Sequence, residues 1–221
     1  MGVKVVIKTH LVMTYLSLRN LKIYYFIPIF FMYLVIPALF FSEIAITGVG
    51  DILHLRVVET TQKILPLFSV WWIIFILREY IEGEGNEVLY VYEDLKRTKL
   101  LDILIVFIIY SLKITPLFIL FSFFLDDMIF ELLRVMIQCF FYSSLAYCLI
   151  YLTKSSAITF MFIMVYNFLV TYLNSSFVSK VSIFSNVSMS IDLFHEKYIY
   201  VFLLGLVILL IGMIMNKYFY R

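Results

Sequence analysis

Arg78-Glu79-Tyr80-Ile81-Glu82-Gly83-Glu84-Gly85-Asn86-Glu87-Val88-Leu89 is the longest strongly charged stretch in a chain that is otherwise mostly apolar. Greasy runs lie on both sides of it, at 64–77 and 100–125. A polar segment between two such runs must emerge into water. Across all 221 residues, 64% are hydrophobic, 19% aromatic and only 14% charged, and the mean hydropathy is +1.03. Water-soluble domains carry roughly 25% charged residues, and a soluble fold of this size has nowhere to hide so much apolar surface. The composition therefore specifies an all-α integral membrane protein.

A helix that crosses the hydrocarbon core needs about 20 mostly apolar residues. Six runs qualify: 23–42, 64–80, 100–125, 128–152, 157–173 and 198–216. The second is short in apolar residues and borrows turns from its polar flanks. Only Asp126-Asp127 separates the third from the fourth, so those two form a tight antiparallel hairpin. Lys and Arg are unevenly shared between the two sets of loops. Lys4, Lys8, Arg19, Lys22, Arg78, Lys96, Arg97, Lys99, Lys154, Lys217 and Arg221 fall on one side, and Arg56, Lys63, Lys180 and Lys197 on the other. By the positive-inside rule the richer side is cytoplasmic. This predicts a multi-pass protein of the cell membrane with both termini inside and no cleaved signal peptide, since residues 1–22 carry charges throughout. The net charge of +2 sits in loops rather than on one basic face, which gives no reason to expect nucleic acid.

Residues 1–20 read as a separate helix. Lys4, Lys8, Tyr15, Arg19 and Lys22 fall within an arc of roughly 60° on a helical wheel, with apolar side chains around the rest. Two readings fit: a helix lying in the head-group layer, or a basic flank that only sets topology.

The loop between 78 and 100 begins acidic and ends basic, from Glu79, Glu82, Glu84, Glu87, Glu93 and Asp94 to Lys96, Arg97 and Lys99. That order suits a helix dipole. Gly83 and Gly85 permit a turn at the membrane exit, and Asn86 is a good N-cap. Val88, Leu89, Val91, Tyr92 and Leu95 add a partial apolar face. The residues alone fit a short amphipathic helix seeking a groove, and they fit a solvated loop resting on head groups equally well.

With these elements in place the chain resembles the membrane subunits of ABC-2 type exporters, the class that includes permeases for peptides, bacteriocins and drugs. In that family a cytoplasmic segment after the second span reads approximately Arg-Glu, then Glu-Gly, then Glu-Leu-Leu, with a basic residue before the third span. The matching residues are Arg78-Glu79, Glu82-Gly83, Glu87-Val88-Leu89 and Arg97. The chain departs from the pattern at Tyr90-Val91-Tyr92-Glu93-Asp94, where family members often carry a small-residue and proline turn. The resemblance implies an N-terminal interfacial elbow helix, six transmembrane helices, and a cytoplasmic coupling helix contacting an ATPase through Glu82, Gly83, Glu87, Val88, Leu89 and Arg97. It also implies short extracellular helices between spans five and six, within 175–196.

No G-x-x-x-x-G-K-[ST] motif occurs, so the chain has no backbone cradle for nucleotide phosphates. A separate ABC ATPase subunit would then bind ATP and Mg, and a second permease copy or paralogue would complete the unit. The chain itself is expected to hold no cofactor or metal and to perform no catalysis. Its histidines are isolated in sequence, and no H-E-x-x-H or G-x-S-x-G occurs. The aromatic interior suits a hydrophobic or amphipathic substrate, a peptide among the candidates. A six-span substrate-binding subunit, a secondary carrier and a peptide-immunity accessory protein are the competing readings.

Several polar residues fall inside the apolar runs. Lys113, one turn before Pro116, is a candidate pathway residue because a midplane lysine is costly. Glu131 and Arg134, three apart, are expected to pair. Asn167 and Asn174 suit helix-to-helix contacts. Cys139 and Cys148 read as small buried hydrophobes.

Overall fold

The computed structural model describes residues 3–83, 99–172, 182–185 and 187–219. All regular structure among them is helical. Helix α1 spans Val3–Asn20. After a corner at Lys22, whose φ is +50°, α2 runs over Ile23–Thr47 with a π turn at Phe31–Val35. Then follow α3 (Asp51–Ile81), α4 (Leu100–Ser122), α5 (Met128–Thr153) and α6 (Ser156–Tyr172). Helix α7 opens at Ile191–Leu193, passes through a π turn at Phe194–Tyr198 and continues as Ile199–Phe219.

Five of these helices are long and apolar enough to cross a membrane: α2, α3, α4, α5 and Ile191–Lys217 of α7. The run expected as the fifth span is α6, an apolar helix of 17 residues. The largest departure from expectation is α3, which begins 13 residues before the expected span at 64–80. Its polar first half stays helical because its polar groups are answered locally. Thr61 Oγ1 donates to the carbonyls of Val57 (2.9 Å) and Val58 (3.0 Å), and Lys63 pairs with Glu59 one turn away.

Helix α5 is the centre of the bundle. It packs chiefly on α7 and α3, then on α4 and α6. Its most apolar window is 72% buried within the protein, against 17% for α2 at the periphery. Two glycines on α7 let α5 approach closely. A Cβ on Gly212 would stand 2.6 Å from the Tyr147 ring and 3.2 Å from the Cys148 Cα, and one on Gly205 would stand 3.1 Å from the Phe140 ring. Beneath this contact, Tyr147 Oη accepts from Asn216 Nδ2 at 3.0 Å.

Helix α2 is fixed to α3 by aromatic side chains that also repair its backbone. Pro28 has no N–H to give the Tyr24 carbonyl. The Trp71 indole donates to that carbonyl at 3.0 Å instead, and Trp72 donates to Tyr25 O at 3.1 Å. Tyr25 stacks on Trp72 with ring centroids 5.0 Å apart. Asn167 behaves as expected, joining three helices: Tyr142 Oη donates to its Oδ1 at 2.9 Å and its Nδ2 donates to Lys63 O at 3.4 Å. Asn174 lies outside the described residues. Cys139 is buried, Cys148 half-buried, and both thiols are free.

We expect Gly212→Ala to lower stability by about 1–3 kcal/mol through overpacking against Tyr147, and Gly205→Ala to cost less. Thermal unfolding in detergent checks this. Equal or absent shifts would contradict the α5–α7 packing.

Candidate functional site

Polar side chains concentrate at the two ends of the bundle. At the end that carries α1, the chain leaving α3 is bonded to the start of α6. Glu82 Oε1 accepts from the Ser156 amide at 2.6 Å, and Oε2 accepts from the Ser156 hydroxyl at 2.8 Å. Arg78 Nε stands 3.2 Å from Oε2. The first amides of a helix have no partner within it, and a carboxylate there also meets the positive end of the dipole. Glu82 therefore caps α6 across 74 residues of sequence. Burial pushes its carboxyl up, but the Ser156 amide and hydroxyl together with Arg78 outweigh this and hold it below the usual range. Gly83 follows where a Cβ would collide with the Glu79 carbonyl. Of the six residues expected to meet a partner, Glu82 and Gly83 are thus at this junction. Glu87, Val88, Leu89 and Arg97 lie outside the described residues.

Beside the junction, α1 is anchored to the start of α4. His10 Nδ1 is 2.7 Å from Asp102 Oδ1, Thr14 Oγ1 donates to the same oxygen at 3.3 Å, and Lys99 Nζ is 3.8 Å from Oδ2. The Lys99 ammonium also sits 3.5 Å from the centre of the Tyr80 ring. His10, Thr14, Leu18 and Leu21 form one buried stripe, while Tyr15, Arg19 and Lys22 of the basic stripe are exposed. His10 is isolated in sequence but not in space. Its partner is an aspartate 92 residues away, which no local pattern announces. Thr14 donates to the carboxylate rather than to the imidazole, so the trio is not ordered as a nucleophile relay.

At the opposite end a non-helical segment precedes α7. Residues 182–185 and 187–190 carry no helix, and residues 175–181 and 186, the remainder of the stretch before α7 in which short helices were expected, lie outside the described residues. Side chains from α3 and α5 bond their main-chain atoms. Gln138 Nε2 donates to Ile183 O (3.0 Å), and Gln62 Nε2 donates to Ser185 O (2.9 Å). Gln62 Oε1 accepts from Ser185 N at 3.1 Å. Arg134 donates to Val187 O (2.7 Å) and more weakly to Ser185 O (3.4 Å). Glu131 Oε1 accepts from Met189 N at 2.7 Å, and Lys197 donates to Phe184 O. Glu131 and Arg134 pair as expected, at 3.2 Å, and both are almost fully buried. Their reach to this non-helical segment was not legible, because spacing within one helix says nothing about the chain beside it. The segment runs antiparallel to α5, since 183, 185, 187 and 189 meet 138, 134 and 131 in reverse order. Next to it, Asp51, His54, Asp126, Asp127 and Ser188 line an open cavity of about 430 Å³.

Lys113 is exposed on the outer face of α4, between Leu112 and Pro116, which are also exposed. Tyr33 Oη donates to its carbonyl at 2.6 Å, which ties α2 to α4. Among the described residues no group of three or more His, Cys, Asp or Glu could hold a metal ion.

Ser156→Ala should cost about 0.5–1.5 kcal/mol, the net value of one hydrogen bond. Because the Glu82 carboxyl is depressed in the folded protein, its contribution is present at neutral pH and is lost as pH falls through its folded value. The difference in unfolding temperature between wild type and Glu82→Gln should therefore shrink on acidification below the ordinary carboxylate range. A pH-independent difference would remove the carboxylate cap.

Compared with protein-family models, with curated proteins and with solved structures, the chain matches none.

Proposed function

We propose that the chain is the transmembrane subunit of an ATP-driven exporter of the ABC-2 type, working with a separate ATPase and a second permease copy or paralogue. The observation that carries this reading is the Glu82–Ser156 junction. The segment with the coupling-like pattern leaves α3 at a residue bonded to the first turn of α6. A push on that segment acts on two helices at once, as a lever requires. In this reading the α1 end faces the cytoplasm, α1 is the elbow helix, and α6 is the sixth crossing. Its 17 residues at about 1.5 Å each make roughly 26 Å, and the head-group layer covers the remainder. The non-helical segment before α7 and the acidic cavity beside it then face outward.

Lys113 supports a second copy. A lysine at the centre of a lipid-facing helix costs about 2.5–3.5 kcal/mol, which falls when a partner subunit encloses it beside a watery path. The cargo is hydrophobic or amphipathic, and the chain binds no nucleotide, metal or nucleic acid and catalyses nothing.

Purification from its native membrane should bring an ATPase subunit with the chain. Glu87→Lys or Arg97→Glu should uncouple ATP hydrolysis from transport while the complex still assembles. Recovery of the chain alone would favour a secondary carrier. Normal transport by both charge-reversed complexes would overturn the coupling assignment.

A further inference from the structure

Helix α1 has three different sides. His10, Thr14, Leu18 and Leu21 are buried, and His10 and Thr14 both close on Asp102 in the first turn of α4. Val12, Met13 and Leu16 are 42–49% exposed and fall on the side of the helix away from that stripe. Tyr15 and Arg19 lie between the two sides and are exposed, as is Lys22 at the corner into α2. Among the described residues neither Arg19 nor Lys22 forms an ion pair.

The contact with Asp102 fixes α1 at one end of the bundle. The corner at Lys22 joins it directly to α2, a helix long and apolar enough to cross a membrane. The medium that meets the free sides of α1 is therefore the boundary of the bilayer. Apolar side chains there enter the acyl region while cations stay among the head groups. Anionic head groups attract Arg and Lys from the surrounding solution, and zwitterionic ones do so far less.

We propose that α1 is a docking surface for anionic lipid. Val12, Met13 and Leu16 meet the acyl chains, and Arg19 and Lys22 meet the phosphate of a head group such as that of phosphatidylglycerol. The stripe from His10 to Leu21 holds the helix on α3 and α4 while it does so. This requires only that α2 crosses the bilayer, so it stands apart from the transporter reading.

The test uses the full chain with Cys139 and Cys148 replaced by Ala and a spin label on Met13→Cys. The labelled protein is placed in nanodiscs of phosphatidylcholine alone or mixed with phosphatidylglycerol. In the mixed discs the label should collide with oxygen, which dissolves in acyl chains, more often than with a neutral nickel chelate, which stays in water. That ratio should fall by about two-fold or more in phosphatidylcholine alone. In mixed discs Arg19→Gln with Lys22→Gln should bring the ratio down to the phosphatidylcholine value, and concentrated salt should do the same. Arg19→Lys with Lys22→Arg should preserve it. Where the labelled protein does not fold, spin-labelled phosphatidylglycerol added to the unlabelled chain reports instead. Its immobilised fraction should then be lower by about two-fold in the Arg19→Gln, Lys22→Gln variant. The proposal is overturned by equal ratios in the two lipids, by a label that meets the nickel chelate more often than oxygen, or by a glutamine variant whose lipid dependence or immobilised fraction is unchanged.

Discussion

The structure depends on one constraint: a bilayer interior offers no hydrogen-bond partner to a bare peptide group. Among the described residues, one break in helical bonding inside α2 and two at the ends of the bundle are answered by side chains. Pro28 opens a carbonyl on α2, and the Trp71 indole fills it. Helix α6 begins with unpaired amides, and Glu82 reaches across to accept from Ser156. The non-helical residues before α7 are bonded through their main chain by Gln62, Arg134, Gln138 and Glu131. Polar residues that look misplaced in apolar helices are the groups that make irregular backbone tolerable.

A related constraint explains how a charged pair can be buried at one end of the bundle. Desolvating Glu131 and Arg134 costs more than their mutual attraction returns unless further hydrogen bonds satisfy them. The Met189 amide and the Val187 carbonyl provide those bonds. The pair is thus tied to the non-helical segment, and removing either partner would leave an uncompensated charge as well as a loosened backbone. Helix α5 carries both residues and packs on α3, α4, α6 and α7. Helices α3 and α5 therefore join the two polar ends physically. One end holds Glu82 and the turn into α6, and the other holds the non-helical segment and the acidic cavity beside it.

The apolar runs were legible because length and composition alone determine them, whereas the gap expected at Asp126-Asp127 is wider than two residues, since α4 ends at Ser122 and α5 begins at Met128. The Glu131–Arg134 pair was legible because both residues lie on one helix face. The first half of α3 was legible only in part: a borrowed turn on its polar flank was expected, but the helix reaches back to Asp51, with Thr61 back-bonded to Val57 and Val58 and Gln62 bonded to a remote main chain. His10 could not be matched to Asp102, nor Glu82 to Ser156, because each pair forms across 74 residues or more. The region before α7 carried a helix-compatible apolar pattern, and residues 182–185 and 187–190 of it are not helical.

The most direct measurement is amide hydrogen exchange, residue by residue, of the chain in nanodiscs. The account predicts that Ser185 and Met189 are protected nearly as strongly as neighbouring amides of α5, and that Gln62→Leu releases Ser185 while Met189 stays protected. Exchange of both amides at the rate of a free peptide would show that side chains do not hold this backbone, and would contradict the account.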